Sequence, residues 1–288
     1  MKGMFNALSV LLLLVMFGAT SAAQGASPPV KVFVSILPQA YFVERIGGDA
    51  VDVDVLVGPG HEPATYEPTP KQMARMGHAQ VYFRIGTPFE EGFIGKLGKI
   101  FKGLLIVDTR KGVPLRYFES SSGKEIPDPH IWLDPKRGKI QAETIYRTLR
   151  EIDPVHEEMY KRNLRAFNED LDAVDGKIAH ALDPLRGRSI YVFHPAFGYF
   201  CDSYGLKQIA VEVEGKEPSP KQLSRLIDRA KKEGVKVIFV QPEFSGKNAR
   251  VIARAIGGAV VPMDPLARDY LNNLDTMADH IKEALSGS

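Results

Sequence analysis

Between residues 154 and 182 the apolar side chains Leu164, Phe167, Leu171, Val174, Ile178 and Leu182 recur at spacings of three and four. That spacing puts them on one face of a helix. No glycine or proline follows Pro154 until Gly176, and at ~1.5 Å per residue such a helix runs roughly 40 Å. It is long for a globular helix, and it stands between two stretches of a different character.

Ahead of it, residues 30–34 read as a strand, and Val51-Asp52-Val53-Asp54-Val55-Leu56-Val57 alternates as a second strand, ended by Gly58-Pro59-Gly60. A helix over Pro70–Met76 is expected, with Thr69 as its cap and Pro70 at its first position. Residues 79–85 and 104–107 are further strands, and another helix begins near Pro135. Beyond the long helix, strands are expected at 189–193, 209–213, 235–241 and 259–262, with helices at 220–233 and 247–256. Strand–helix alternation of this kind signals an α/β layer with a mainly parallel sheet. The expected fold is therefore α/β: two α/β lobes, each with a mainly parallel sheet, joined by one long backbone helix. The N-terminal lobe covers 28–153, the linking helix 154–182 and the C-terminal lobe 183–288. No internal sequence repeat is expected.

Residues 1–23 read as a signal peptide. Lys2 gives a positive start, residues 7–17 are apolar, and Ser21-Ala22-Ala23 offers a small-residue cleavage site. The apolar run is short for a membrane span, which needs ~20 residues. No cysteine stands just after it, so no lipid attachment is expected. The protein is thus expected to be exported, cleaved after about Ala23 and periplasmic. The single cysteine, Cys201, cannot form an internal disulfide and reads as a buried small hydrophobe. A net charge of +2, from 37 basic and 35 acidic residues, lacks the basic excess of a nucleic-acid binder. Nothing in the sequence demands an oligomer, so a monomer is expected.

Two histidine motifs carry the chemistry. His130 lies in Asp128-Pro129-His130-Ile131-Trp132-Leu133-Asp134-Pro135, and His194 in Phe193-His194-Pro195-Ala196-Phe197-Gly198-Tyr199-Phe200. They are too far apart for a local metal finger, so only the fold could unite them on one ion. Ligands of open α/β sheets bind at the carboxyl ends of strands, and the candidates sit at such places. His61 follows the second strand, His194 immediately follows the strand at 189–193, and Asp264 follows the strand at 259–262; His130 lies in the loop before the helix near Pro135. Glu62 and Glu243 are substitute donors. His78, His156, His180 and His280 fall in helical segments with polar neighbours and read as surface histidines. Three imidazoles and one carboxylate suit four-coordinate Zn²⁺, whereas Mn²⁺ would take extra carboxylates and higher coordination. Four protein ligands close the site, which argues for carrying a metal rather than for catalysis. No HExxH, nucleophile elbow or phosphate loop is present.

The chain resembles the metal-binding proteins of ABC uptake transporters, the ZnuA-like and TroA-like family, over nearly all of residues 30–285. The resemblance is carried by Thr65-Tyr66-Glu67-Pro68-Thr69-Pro70, the His130 and His194 motifs, Glu217-Pro218-Ser219-Pro220 and Met263-Asp264-Pro265-Leu266. It implies two lobes bridged by a long helix, a metal in the cleft between them, and delivery to a membrane permease of an ABC importer. By it, His130, His194 and Asp264 fall on ligand positions. There are two departures. The family's histidine two residues before the tyrosine of its Tyr-Glu-Pro motif is Ala64 here, and His61 is expected to replace it through a shifted loop. The long His-rich loop of many zinc-specific members is also missing, since residues 111–127 hold no histidine. The expected cargo is Zn²⁺, with Mn²⁺ or Fe²⁺ open. A surface adhesin and an exported zinc hydrolase, with Glu62 or Glu243 as its base, are the alternatives.

Overall fold

The structure, a computed structural model, describes residues 27–119, 123, 125–212, 216 and 218–286. The expected signal peptide, residues 1–23, lies outside them, as does Glu217.

Two four-stranded sheets form, each all-parallel. The first holds β1 (Val30–Ile36), β2 (Val51–Val57), β3 (Val81–Arg84) and β4 (Leu105–Asp108) in the order β2-β1-β3-β4. Its connecting helices are α1 (Leu37–Gly47), α2 (Pro70–Met76) and α3 (Pro88–Ile100). A hairpin of β5 (Tyr117–Glu119) and β6 (Glu125–Pro127) then leads to α4 (Pro135–Ile152) and α5 (Glu157–Leu182). The second sheet holds β7 (Ser189–Val192), β8 (Lys207–Ala210), β9 (Val237–Val240) and β10 (Ala259–Pro262), in the order β10-β9-β7-β8. Helices α6 (Gly198–Tyr204), α7 (Pro220–Lys232), α8 (Lys247–Ala255) and α9 (Tyr270–Ser286) complete the chain.

Each sheet therefore places its own first strand between its second and third. The chain winds one way from the first strand to the second and the other way to the third, which makes a switch point between the first and third strands. The shared order has an echo in the sequence that corrects the expectation of no repeat. Glu67-Pro68-Thr69-Pro70-Lys71-Gln72 recurs as Glu217-Pro218-Ser219-Pro220-Lys221-Gln222, in each case after the second strand of a sheet. In both copies the hydroxyl caps the helix and the Gln returns the bond to the cap's main chain. These are two capping boxes with proline at the first helical position. The repeat escapes a scan for long periodicity because only this capping segment is shared.

Helix α5 has 26 residues and buries the expected stripe, with Tyr160 added at its start. A single 3-10 turn, Pro154–His156, precedes it, because Pro154 has no N–H to continue α4. The stripe packs against α1, α4 and α9. Phe167 meets Phe42 edge-on at 5.0 Å, and Phe42 meets Tyr270 at 4.8 Å. Helix α9 thus ties the last part of the chain back onto α1, and Lys177 of α5 pairs with Asp275 of α9 at 2.6 Å. Strand β8 starts two residues before the expected 209–213. The main-chain pairing still runs on through Val211 and Glu212, which donate to Val192 and Phe193. Cys201 is buried, and burial pushes its thiol up to about 12, so it is inert.

Candidate metal centre

His130 follows the β5–β6 hairpin and opens a 3-10 turn, Ile131–Leu133. Asp128 fixes it twice. One carboxylate oxygen accepts the His130 main-chain N–H at 3.0 Å and the ring Nδ1–H at 2.7 Å. With Nδ1 donating, Nε2 keeps its lone pair for a metal. Asp128 is fully buried; its main-chain carbonyl accepts from the Tyr199 hydroxyl at 2.9 Å, and Arg116 Nε stands 3.6 Å from its carboxylate. Burial draws the His130 pKa down, against the opposing pull of Asp128. Burial thus favours the neutral ring, the form that binds metal.

His194 is built the same way from the other half of the chain. It follows β7, and its Nδ1–H donates to Glu212 Oε2 at 2.7 Å. Gln241, at the end of β9, clamps its main chain from both sides: Oε1 accepts the His194 N–H at 3.1 Å and Nε2 donates to the His194 carbonyl at 2.7 Å. The Phe244 ring stacks on the imidazole at 5.3 Å and 23°. The His130 and His194 rings face each other across the cleft at 5.3 Å and 70°.

Asp264 follows β10. Its Oδ1 accepts the Leu266 N–H at 2.7 Å and its main-chain carbonyl accepts from Asn273 Nδ2 at 2.7 Å, and Oδ2 has no hydrogen-bond partner among the described residues. Burial raises its pKa. Trp132 ties this loop to that of His130, since its indole N–H donates to the Pro265 carbonyl at 2.7 Å. Glu243, two residues after the Gln241 clamp, is half-buried. Burial pushes it up to about 7, and it senses the charges of Asp264, His194 and Glu62.

His61 stands apart, on the exposed loop after β2. Its Nδ1 lies 3.1 Å from the Pro59 carbonyl, and its ring meets Tyr66 edge-on at 5.9 Å. Among the described residues Nε2 has no partner, as in the other two rings. Thr65 donates to Glu62 at 3.2 Å on the same loop. The structure thus brings His130 and His194 together, sets Glu243 in electrostatic range of Asp264, His194 and Glu62, and leaves His61 on its own loop. Among the described residues, no three potential donors converge closely enough to grip an ion as they stand.

Sequence reasoning missed Glu212 and Gln241 and gave Asp128 no role. Asp128 had a local signal, because an Asp two residues before a histidine readily bonds back to it. Glu212 and Gln241 had none beyond their places at the ends of parallel strands. Outer carboxylates orient a metal-binding imidazole, and their loss costs roughly 10–100-fold in affinity. Asp128→Asn is accordingly expected to weaken zinc binding within that range, read by chelator competition. Among the other histidines, His78 and His180 are exposed as expected, but His156 is half-buried against Asp153 at 2.7 Å and His280 is half-buried in α9 with Nδ1 unpartnered among the described residues. A cavity of about 320 Å³ at the opposite ends of the second sheet's strands holds none of the candidate donors.

The family described as "ZnuA: Zinc-uptake complex component A periplasmic" matches residues 32–284. A putative metal-binding protein of Chlamydia trachomatis is 30% identical over 273 residues, which cover 93% of this chain and 97% of that protein. The manganese ABC transporter substrate-binding lipoprotein PsaA of Streptococcus mitis is 26% identical over 291 residues, covering 93% of each. The crystal structure of a ZnuA superposes with a TM-score of 0.85 at 40% identity, covering 89% of this chain and 99% of that one. With two parallel sheets, a long connecting helix and paired imidazoles between them, the chain belongs to the ZnuA family of periplasmic components of zinc-uptake complexes.

Proposed function

We propose that this protein captures a divalent transition metal, zinc first, in the cleft between its two sheets and delivers it to the permease of an ABC importer. The observation that carries the reading is the facing pair His130 and His194, each with Nδ1 held by a buried carboxylate and Nε2 left for a metal. Family membership supports delivery to a permease, and the relatives named for zinc and for manganese support a metal as cargo. The family is one of substrate-binding proteins. The reading extends this to the chain itself, as a monomeric binding protein and not an enzyme or, in its main role, an adhesin. No helix among the described residues is long and apolar enough to cross a membrane. Export to the periplasm with cleavage after about Ala23, an N-terminal lobe over 28–153, a linking helix and a C-terminal lobe from 183 complete the proposal.

His130, His194 and Asp264 are the proposed ligands, with His61 closing the site from its loop. Gly58, Pro59 and Gly60 precede His61, whose N–H donates to the Gly58 carbonyl over a long 3.4 Å. The ring's own contacts are the Pro59 carbonyl and the Tyr66 ring, and closing the site exchanges them for the metal. Competitive titration of the metal-free mature protein with Zn²⁺ and Mn²⁺ against a chelator of known affinity tests the function. One tight zinc equivalent is expected, and no tight metal at all would overturn the reading. His61→Ala is expected to weaken zinc by about tenfold or more, as loss of a ligand should at least match loss of an outer partner. Unchanged affinity in that variant would return the first position to Glu62 or water.

A further inference from the structure

In open parallel sheets, ligands bind at the carboxyl ends of the strands where the winding reverses. Both sheets here have such a point, between β1 and β3 and between β7 and β9. They are filled differently. In the first sheet the crevice is closed by Glu90. It is fully buried and takes donors from Ser35 Oγ at 2.5 Å, Ile85 N–H at 2.9 Å, Gly86 N–H at 2.7 Å and Arg84 Nε at 3.1 Å. Its lone pairs are spent on the protein itself.

In the second sheet the same position holds His194 after β7 and the segment Gln241-Pro242-Glu243-Phe244 after β9. Three residues of that segment bear on His194. Gln241 clamps its main chain, Phe244 stacks on its ring, and Glu243 lies in range of its charge and of Asp264 and Glu62. Unlike Glu90, Glu243 has no cationic side chain paired with it among the described residues, and neither has Asp264. A half-buried carboxylate within electrostatic range of a second one, with no cationic side chain paired with it among the described residues, carries an electrostatic cost. A divalent ion at the imidazole pair would remove it.

We propose that Glu243 is a further donor of the metal site, a second carboxylate that ligates the captured ion beside His61, His130, His194 and Asp264 and fits the site to manganese as well as zinc. This rests on the capture function proposed above. Zinc is satisfied by four donors of mixed nitrogen and oxygen type. Manganese favours carboxylate oxygen and higher coordination. A fifth, oxygen donor therefore matters more to manganese than to zinc.

The test compares the full-length mature protein with its Glu243→Gln and Glu243→Asp variants, each titrated with Zn²⁺ and with Mn²⁺ against a chelator. Gln keeps the shape of Glu and removes the charge. Expected is a loss of Mn²⁺ affinity of about tenfold or more in Glu243→Gln with a much smaller loss for Zn²⁺, following the oxygen preference of manganese. Glu243→Asp is expected to recover part of the Mn²⁺ loss, which a role in loop packing alone would not produce. A ratio of zinc to manganese affinity unchanged in Glu243→Gln overturns the assignment while leaving metal capture intact, as does a wild-type protein that binds zinc tightly and manganese not at all. A wild-type protein that binds neither metal overturns the capture function, and this assignment with it.

Discussion

His194→Ala is expected to weaken zinc binding by at least about 100-fold, beyond the roughly 10–100-fold that outer-shell partners command. The imidazole is more than a donor atom on a loop. Gln241 fixes its main chain, Glu212 sets its tautomer and Phe244 sets its plane. No neighbouring side chain occupies that position with a free Nε2, so a replacement ligand would have to move. The same variant leaves the Glu212 carboxylate, only 8% exposed, without its partner. An orphaned buried polar group costs about 1–3 kcal/mol, so the metal-free variant should unfold at a lower urea concentration. Chelator competition and urea unfolding of the metal-free protein separate the two effects. Zinc affinity equal to wild type would remove His194 from the site.

Trp132→Ala is expected to be the most damaging single change near the cleft, at about 3–5 kcal/mol of stability, the range for emptying a large aromatic site. Trp132 is 1% exposed and joins three parts of the chain. Its ring lies 5.2 Å from that of His130, its indole donates to the Pro265 carbonyl beside Asp264, and its own carbonyl accepts from the Tyr270 hydroxyl of α9 at 2.5 Å. The His130 and Asp264 loops are thereby held to one another and to the helix that returns across α1. Trp132→Phe keeps most of the apolar volume and loses the N–H. It should cost about 1–3 kcal/mol through the unpaired Pro265 carbonyl, and zinc affinity should fall because the two ligand loops lose their tie. Unfolding midpoints of both metal-free variants, with zinc titration of Trp132→Phe, check this. Wild-type zinc affinity in Trp132→Phe would show that the two loops are positioned independently.

These two residues differ in how far the sequence announces them. His194 stands out beside Pro195 at the end of a β-branched and aromatic run. Trp132 stands out only as the lone tryptophan beside a histidine, and its bond to Pro265 spans half the chain. The same division holds elsewhere. The caps at Thr69 and Ser219 are contacts of three residues' reach and can be read directly. Glu212 meets His194 only because β7 and β8 lie side by side. Glu243 and Asp264 come into range of each other only because β9 and β10 pair and end together.

The alternation of strands and helices, the long amphipathic helix, the helix caps and the donor types at strand ends are legible along the chain. Hydrophobic period, proline and glycine placement, and capping act over a few residues, so they are written where they act. Four features emerge only on folding: both sheets take one strand order, α9 folds back onto α1, Asp128 and Glu212 hold the two imidazoles in the same tautomer, and Trp132 binds the loop of Asp264. Those contacts join residues brought near by strand order and helix packing, and no spacing along the chain encodes them.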